Sequence, residues 1–242
     1  MTDALVVIPT YNEIENIERV IRAVFSLRRP FHILVVDDGS PDGTAQKVAS
    51  MQREFPEQLF ILNRTKKAGL GRAYIAGFKW ALEKPYGFIF EMDADFSHNP
   101  KDLLRLYNAF AKASADLVVG SRYVKGVNVV NWPMGRVLMS WLASKYVRFI
   151  TSMPVHDTTA GFVGYRRKVL ETINLDAIKF VGYAFQIEMK YEAYRLGFEI
   201  AEVPVIFTDR TLGVSKMSSG IISEAIFGVI TMRIKHAFRK RK

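Results

Sequence analysis

Two aspartates separated by one residue, Asp93 and Asp95, follow the apolar run Phe88 to Met92. Carboxylates at i and i+2 on a turn can approach one ligand assembly together. A hard divalent cation bridging two phosphates needs this arrangement, because it takes one or two protein carboxylates and fills its other positions with phosphate oxygens and water. An isolated Asp-x-Asp is more often a solvated turn, so the weight falls on its company. Ser97 and His98, one turn further on, offer more ligands, although His98 also fits a surface position before Asn99-Pro100 opens a helix. A second acidic turn, Asp37-Asp38 with Gly39 and Gly43, precedes a helix that Asp42 or Thr44 caps near Ala45. Asp38, at a strand end, suits a ribose or base edge. Arg136 and Ser140 lie one helical turn apart on the same side of a segment opening at Pro133, which makes an anion site if that side is not simply the wet face of the helix.

The elements that must position these residues follow from periodicity. Strands are expected at Leu5 to Pro9, Ile33 to Asp37, Leu59 to Asn63, Phe88 to Met92 and Leu117 to Gly120, near-continuous apolar runs of the kind a parallel sheet buried on both faces requires. Amphipathic helices alternate with them, the first over Glu13 to Leu27 with Ile14, Ile17, Val20, Ile21 and Val24 on one face, another over Thr44 to Met51. Right-handed crossovers then give an α/β, doubly wound sheet with helices on both faces. In such sheets ligands bind beyond the carboxyl ends of the strands. Four of those ends are polar: Pro9 to Glu13, Asp37 to Thr44, Asp93 to Asp95, and Ser121-Arg122-Tyr123. Further on come a helix from Pro133 to about Ile150, a strand at Gly161 to Tyr165, a helix around Phe185 to Leu196, a strand at Glu199 to Phe207 and a helical segment from Ser218 to about Phe238. No Gly-x-Gly-x-x-Gly follows the first strand, and Gly69-Leu70-Gly71 lacks the Walker lysine pattern, so neither a dinucleotide site nor a P-loop is indicated.

The chain has 242 residues, 49% of them hydrophobic, enough to bury a sizeable core, and no cysteine, which excludes disulfides and thiolate metal sites. Its net charge of +10 is unevenly spread. Of the 34 Lys and Arg, six fall in residues 233–242, so the remaining 28 face 24 acids. A basic tail on a nearly balanced body argues against a nucleic-acid module. The first residues carry no basic region or apolar stretch of signal-peptide length, which leads us to expect no export.

In order and spacing, Val7 to Glu13, Val36 to Thr44, Gly69 to Gly71, Asp93-Ala94-Asp95-Phe96-Ser97-His98, Gly120 to Tyr123 and Asp209 to Lys216 resemble the dolichol-phosphate mannose synthases, inverting family 2 glycosyltransferases of GT-A fold. The resemblance spans nearly the whole chain and rests on the ordered set rather than on any one segment. It implies a single glycosyltransferase domain with a mostly parallel, Rossmann-like central sheet: a nucleotide-sugar half over residues 1–125, an acceptor half over 126–217, and an amphipathic helix with a basic tail over 218–242. Pro9, Tyr11, Glu13, Val36 and Asp38 would hold the guanosine of GDP-mannose. Asp93, Ala94, Asp95 and Ser97 would surround the diphosphate and a metal, Mg²⁺ or Mn²⁺, with Arg122, Arg210 and Lys216 around the phosphates and sugar. Asp95, Arg122, Arg210 and Lys216 would carry catalysis, and Arg136 and Ser140 would take the phosphate of a dolichyl or other polyprenyl acceptor.

An ionised phosphate monoester attacks without first losing a proton to a side chain, so a general base is dispensable. The resemblance makes Glu188 a base where other family 2 enzymes use hydroxyl acceptors or else a group that only orients partners, and it leaves Asp157 equally open. Transfer of glucose or another sugar, a hydroxyl acceptor, and an idle nucleotide-sugar binder are the alternatives. Met134, Val137, Leu138, Trp141 and Leu142 form a stripe that either meets lipid or joins the core, core being the more frequent outcome. The longest apolar run near the end, Ala225 to Met232, is far short of the roughly 20 residues of a spanning helix. We therefore expect a cytoplasmic, peripheral protein with no transmembrane segment. Ile222, Ile226, Val229 and Ile230 with the basic tail suit either a membrane interface or a core-packing helix with a solvated tail. A separate membrane protein is a further candidate partner.

Overall fold

The computed structural model describes residues 2–209 and 228–234. Arg210, Lys216 and most of the expected C-terminal helix and tail lie outside the described residues, and residues 228–234 are helical. The strands are β1 (Ala4–Thr10), β2 (His32–Asp37), β3 (Leu59–Asn63), β4 (Phe88–Glu91), β5 (Leu117–Ser121), β6 (Val129–Val130), β7 (Val163–Arg166), β8 (Ile200–Pro204) and β9 (Phe207–Thr208). The helices are α1 (Ile17–Phe25), α2 (Thr44–Met51), α3 (Leu70–Leu82), α4 (Asp102–Lys112), α5 (Met134–Thr151), α6 (Arg167–Thr172) and α7 (Tyr183–Arg195). Seven strands form one sheet in the order β3-β2-β1-β4-β7-β5-β8, in which β7 alone runs antiparallel to its neighbours. A short parallel pair, β6 with β9, stands beside it.

Alternation along the strands sorts the core into two layers. Leu5, Val7, Leu34 and Val36 face α3, α6 and α7, whereas Ala4, Val6, Ile8, Ile33 and Val35 face α1, α2 and α4. Strand order reverses at β1: β2 and β3 extend to one side, β4 and the later strands to the other. The crevice this opens at the carboxyl ends of β1 and β4 is where such sheets hold ligands.

Three expectations need correction. The first helix starts at Ile17, not Glu13, because the N–H groups of Asn12, Glu13 and Ile14 donate to Ser40 Oγ, Thr44 Oγ1 and Asp42 Oδ2, which draws this stretch across to the β2–α2 loop. The single strand expected over Glu199 to Phe207 breaks after Pro204, and Phe207 pairs with β6 instead. The stripe on α5 does not join the core: Met134, Leu138 and Leu142 are 78%, 53% and 50% exposed, and the buried side of this helix is Ser144, Val147 and Thr151.

Close approach of α3 to β1 depends on one glycine. A Cβ at Gly77 would lie 2.5 Å from Val7 Cγ1 and 3.2 Å from Val36 Cγ2. Alanine gains about 1 kcal/mol in helix propensity, but overpacking typically costs about 1–3 kcal/mol. At 2.5 Å the overpacking falls in the upper part of that range, about 2–3 kcal/mol, so Gly77→Ala should lower the unfolding free energy by roughly 1–2 kcal/mol in urea denaturation; a variant as stable as the parent would show that α3 can shift off the sheet freely.

Candidate active site

The loops after β1 and β2 are built around a buried carboxylate. Asp37 accepts hydrogen bonds from Thr10 Oγ1 (2.8 Å), Ser40 N (2.8 Å) and Ser40 Oγ (2.6 Å), and Ser40 Oγ in turn accepts the Asn12 N–H. Asp42 accepts both the N–H and the hydroxyl of Thr44, so it caps α2 from just outside Gly43. This lattice places Pro9 opposite Val36 in register and sets Tyr11, Glu13 and Asp38 at the same sheet edge. Asp38 accepts from Arg64 Nη1 (2.8 Å) and Ala68 N (3.3 Å); burial pushes its carboxyl up, and the Arg64 charge offsets this only in part. The Lys67 ammonium lies 4.5 Å from the centroid of the Tyr11 ring.

Beyond β4 the chain turns through Phe96, whose φ is 60°. Asp95 Oδ1 accepts the Ser97 N–H at 3.0 Å, and Tyr74 donates its hydroxyl to Asp93 Oδ1 at 3.3 Å. His98 is not a surface residue. It is buried, stacked on Phe162 at 4.9 Å, and its Nδ1 accepts the Asp93 N–H, while burial pushes its pKa down to about 4. The imidazole thus fixes the turn that carries the aspartates. Ser97 Oγ is buried with no hydrogen-bond partner. Two carboxylates beside an orphaned hydroxyl oxygen fit a hard, oxygen-seeking cation. Among the described residues no cluster of three His, Cys, Asp or Glu forms a cage, which suits an ion that takes most of its ligands from phosphate and water.

Arg122, just past β5, is buried against Asp157. Its N and Nε donate to Asp157 Oδ2 at 2.9 and 2.7 Å, and its Nη2 donates to Asp157 Oδ1 at 2.6 Å and to Thr159 Oγ1 at 2.8 Å. Arg136, on the first turn of α5, stacks 4.1 Å from the Trp132 ring centroid and donates to both oxygens of Asp209 at 3.1 and 3.0 Å. A cavity of about 450 Å³ is lined by Asp93, Asp95, Ser97, Arg122, Arg136 and Ser140. Most of its surface is apolar, with Met139, Leu142, Ala143 and Tyr146 of α5 among the lining residues. Pro9, Tyr11, Glu13, Val36, Asp38 and Ala94 do not line this cavity. They adjoin it through the segment entering α3, where Ala68 bonds Asp38 and Leu70 lines the cavity.

Glu188, named from sequence, accepts the N–H groups of Lys179 and Phe180. Glu91, Gln186 and Lys190 escaped the sequence reading, and Gln186 faces the cavity. Gln186 Nε2 donates to Glu91, as does the Tyr165 hydroxyl at 2.9 Å, and the buried Lys190 ammonium donates to Ala160 O (2.7 Å) and Gln186 O (3.1 Å). Burial pushes Glu91 up to about 7 and Lys190 down to about 8. A Glu closing an apolar strand and a Lys inside a helix were the available signals, but neither shows from sequence that it is buried.

The chain matches the model of glycosyl transferase family 2 over residues 5–173. It is 49% identical over 231 residues to a polyprenol monophosphomannose synthase of Mycolicibacterium smegmatis, covering 96% of this chain and 87% of that one. It is 47% identical over 225 residues to an undecaprenyl-phosphate mannosyltransferase of Micrococcus luteus, covering 93% and 91%. Among solved structures, glucosyl-3-phosphoglycerate synthase from Mycobacterium tuberculosis, with Mn²⁺, UDP and glucosyl-3-phosphoglycerate, superposes with a TM-score of 0.68 at 17% identity over 95% of this chain and 79% of that one. A mannosyltransferase from Pyrobaculum calidifontis with GDP-Man and Mn²⁺ gives 0.61 at 18% identity over 99% and 65%.

The Glu91 network has a pH signature. Its folded pKa, about 7, stands above the ordinary 4.5, so its contribution to stability is full below pH 4.5 and is lost as pH rises through 7. Relative to Glu91→Gln, the parent's unfolding free energy should fall by on the order of 3 kcal/mol across that window in urea titrations; parallel pH profiles for the two proteins would contradict the assignment.

Proposed function

Because the chain belongs to glycosyl transferase family 2 and has the GT-A fold, we propose that it transfers mannose from GDP-mannose to a polyprenyl phosphate with inversion at the anomeric carbon. The observation that carries this reading is one cavity lined by the paired carboxylates, by Arg122 and Arg136 and by apolar side chains of α5. The two mannosyl-transferring relatives, at 49% and 47% identity, support the same sugar and acceptor class. Asp93, Asp95 and Ser97 would hold a divalent metal, which supplies charge neutralisation for the departing diphosphate. Pro9, Tyr11, Glu13, Val36 and Asp38 would seat the guanosine at the adjoining edge, with Ala94 beside the diphosphate. Arg122 and, outside the described residues, Arg210 and Lys216 would brace the phosphates.

Arg136 and Ser140 would receive the acceptor phosphate. Its oxygen is already anionic, so no base has to face it, and Glu188 is occupied by backbone N–H groups instead. Alignment and fixed charge supply the rate. Residues 1–125 thus act as the donor half and 126–217 as the acceptor half of one domain. No described helix is long and apolar enough to cross a membrane. Met139 and Leu142 line the cavity and are also about half exposed, at 52% and 50%, so an isoprenoid chain can leave along α5 directly into lipid. We therefore place the exposed face of α5, together with helical residues 228–234 and the basic segment 235–242, at the cytoplasmic surface of a membrane.

Labelled GDP-mannose incubated with a short polyprenyl phosphate should give a lipid-dependent product with Mg²⁺ or Mn²⁺ and none after chelation. Product from UDP-glucose in its place would reassign the donor, and donor binding without turnover would favour an idle binder. Asp95→Ala should abolish transfer while leaving the thermal melt intact; full activity would remove the aspartates from the metal site. Phe149 of α5, 84% exposed, extends the same face as Leu138, and in flotation assays Leu138→Ser with Phe149→Ser should weaken binding to neutral and anionic vesicles alike. Deleting residues 233–242 should weaken only the anionic case, by about 1 kcal/mol per cation brought near the surface. Unchanged binding in both would place the membrane contact elsewhere.

A further inference from the structure

The cavity contains two arginines held in different ways. Arg136 meets Asp209 where both side chains are partly exposed, whereas Arg122 and Asp157 are both buried. Three N–H donors of Arg122, including its own backbone N–H, converge on the Asp157 carboxylate, and Thr159 accepts a further bond from Nη2. Asp157 is anchored in its turn. Glu202 on β8 accepts the N–H groups of His156 and Asp157 at 2.8 and 3.0 Å, and it stands in register beside Val119 of β5, the strand that leads into Arg122. The rings of Tyr123, Trp132 and Phe207 lie 5.2–5.6 Å from the guanidinium carbon. A long side chain that would otherwise sample many rotamers therefore has its plane and depth set before any ligand arrives.

We infer that Asp157 is a positioning residue: with Thr159 and Glu202 behind it, it fixes the Arg122 guanidinium against the departing diphosphate. This rests on the proposed function, in which Arg122 faces a phosphate. It adds that Arg122 acts through direction rather than through net charge, since the pair it forms is neutral overall. A preorganised donor stabilises developing charge without reorganising, which raises turnover more than ground-state affinity.

Asp157→Asn keeps the size of the side chain but loses the charge and one acceptor. It should lower kcat on the order of 10–100-fold, with KM for polyprenyl phosphate unchanged or lower, because one positive charge is unmasked. In an Arg122→Gln background the same substitution should lower kcat no further. Equal losses in both backgrounds would show a general structural role and overturn the inference, as would parental kcat in a folded Asp157→Asn. Should Asp157→Asn fail to fold, Thr159→Val, which removes only the Nη2 bond to Oγ1, gives the graded version: a kcat loss that disappears when Arg122 is Gln supports positioning, and a loss common to both backgrounds refutes it. Parental turnover of Arg122→Gln itself would overturn the placement of Arg122 at the phosphates along with this inference, and is recognised by needing no change at Asp157.

Discussion

Parallel strands deliver their carboxyl ends to one edge of a sheet, and the candidate site hangs from that edge. β1, β2, β4 and β5 all point the same way, so the residues that follow them converge although they are far apart in sequence. Reversal of strand order at β1 keeps helices from covering the edge where β1 and β4 end. The remaining demand is rigidity in the turns, which are too polar to be held by packing. Buried hydrogen-bonding groups meet it one turn at a time: Asp37 for the β1 and β2 loops, His98 for the Asp93–Asp95 turn, Asp157 for Arg122.

Much of this could be read from sequence because it depends on local rules. A strand buried on both faces has to be apolar throughout, and the boundaries of β3 match the expected Leu59 to Asn63 while β2, β4 and β5 differ by one residue at one end and β1 by one residue at each end. Polar residues at strand ends are similarly visible, so Asp93, Asp95, Ser97 and Arg122 could be named from sequence, and the structure brings all four onto one cavity with Arg136 and Ser140. What periodicity could not supply was the destination of backbone N–H groups. The run Ile14, Ile17, Val20, Ile21, Val24 reads as one helix from Glu13, yet three N–H groups before Ile17 go to side chains of another loop.

The remaining departures come from tertiary context. An apolar stripe has the same sequence pattern whether its face is buried or exposed, so the sequence leaves the α5 stripe open between lipid and core, with core the more frequent outcome. In the structure the fully buried residues of α5 are Ser144, Val147 and Thr151, Tyr146 and Ile150 pack partly buried against the core, and Met134, Leu138 and Leu142 of the stripe are left outside. The same blindness hid Glu91 and Lys190, since burial in a core is not encoded by a single charged letter. His98 was ambiguous for a related reason: an imidazole before Asn-Pro is exposed or buried according to whether a ring such as Phe162 waits for it.

The apolar wall also explains why the arginines come already paired. Two unit charges 4 Å apart interact by about 1 kcal/mol in water and about 4 kcal/mol at an effective dielectric of 20, so a partly dry cavity strengthens every phosphate contact. The same dryness would penalise an unpaired guanidinium in the empty enzyme. Asp157 and Asp209 satisfy Arg122 and Arg136 in the folded chain, and they do so differently. Asp157, with no exposed surface, cannot be displaced by a ligand and so leaves Arg122 a fixed directional donor. Asp209 is partly exposed and, on the proposed function, would yield Arg136 to an incoming phosphate. On that proposal one cavity would offer a rigid contact where charge develops during the reaction and an exchangeable contact where the lipid-borne anion enters and leaves as product.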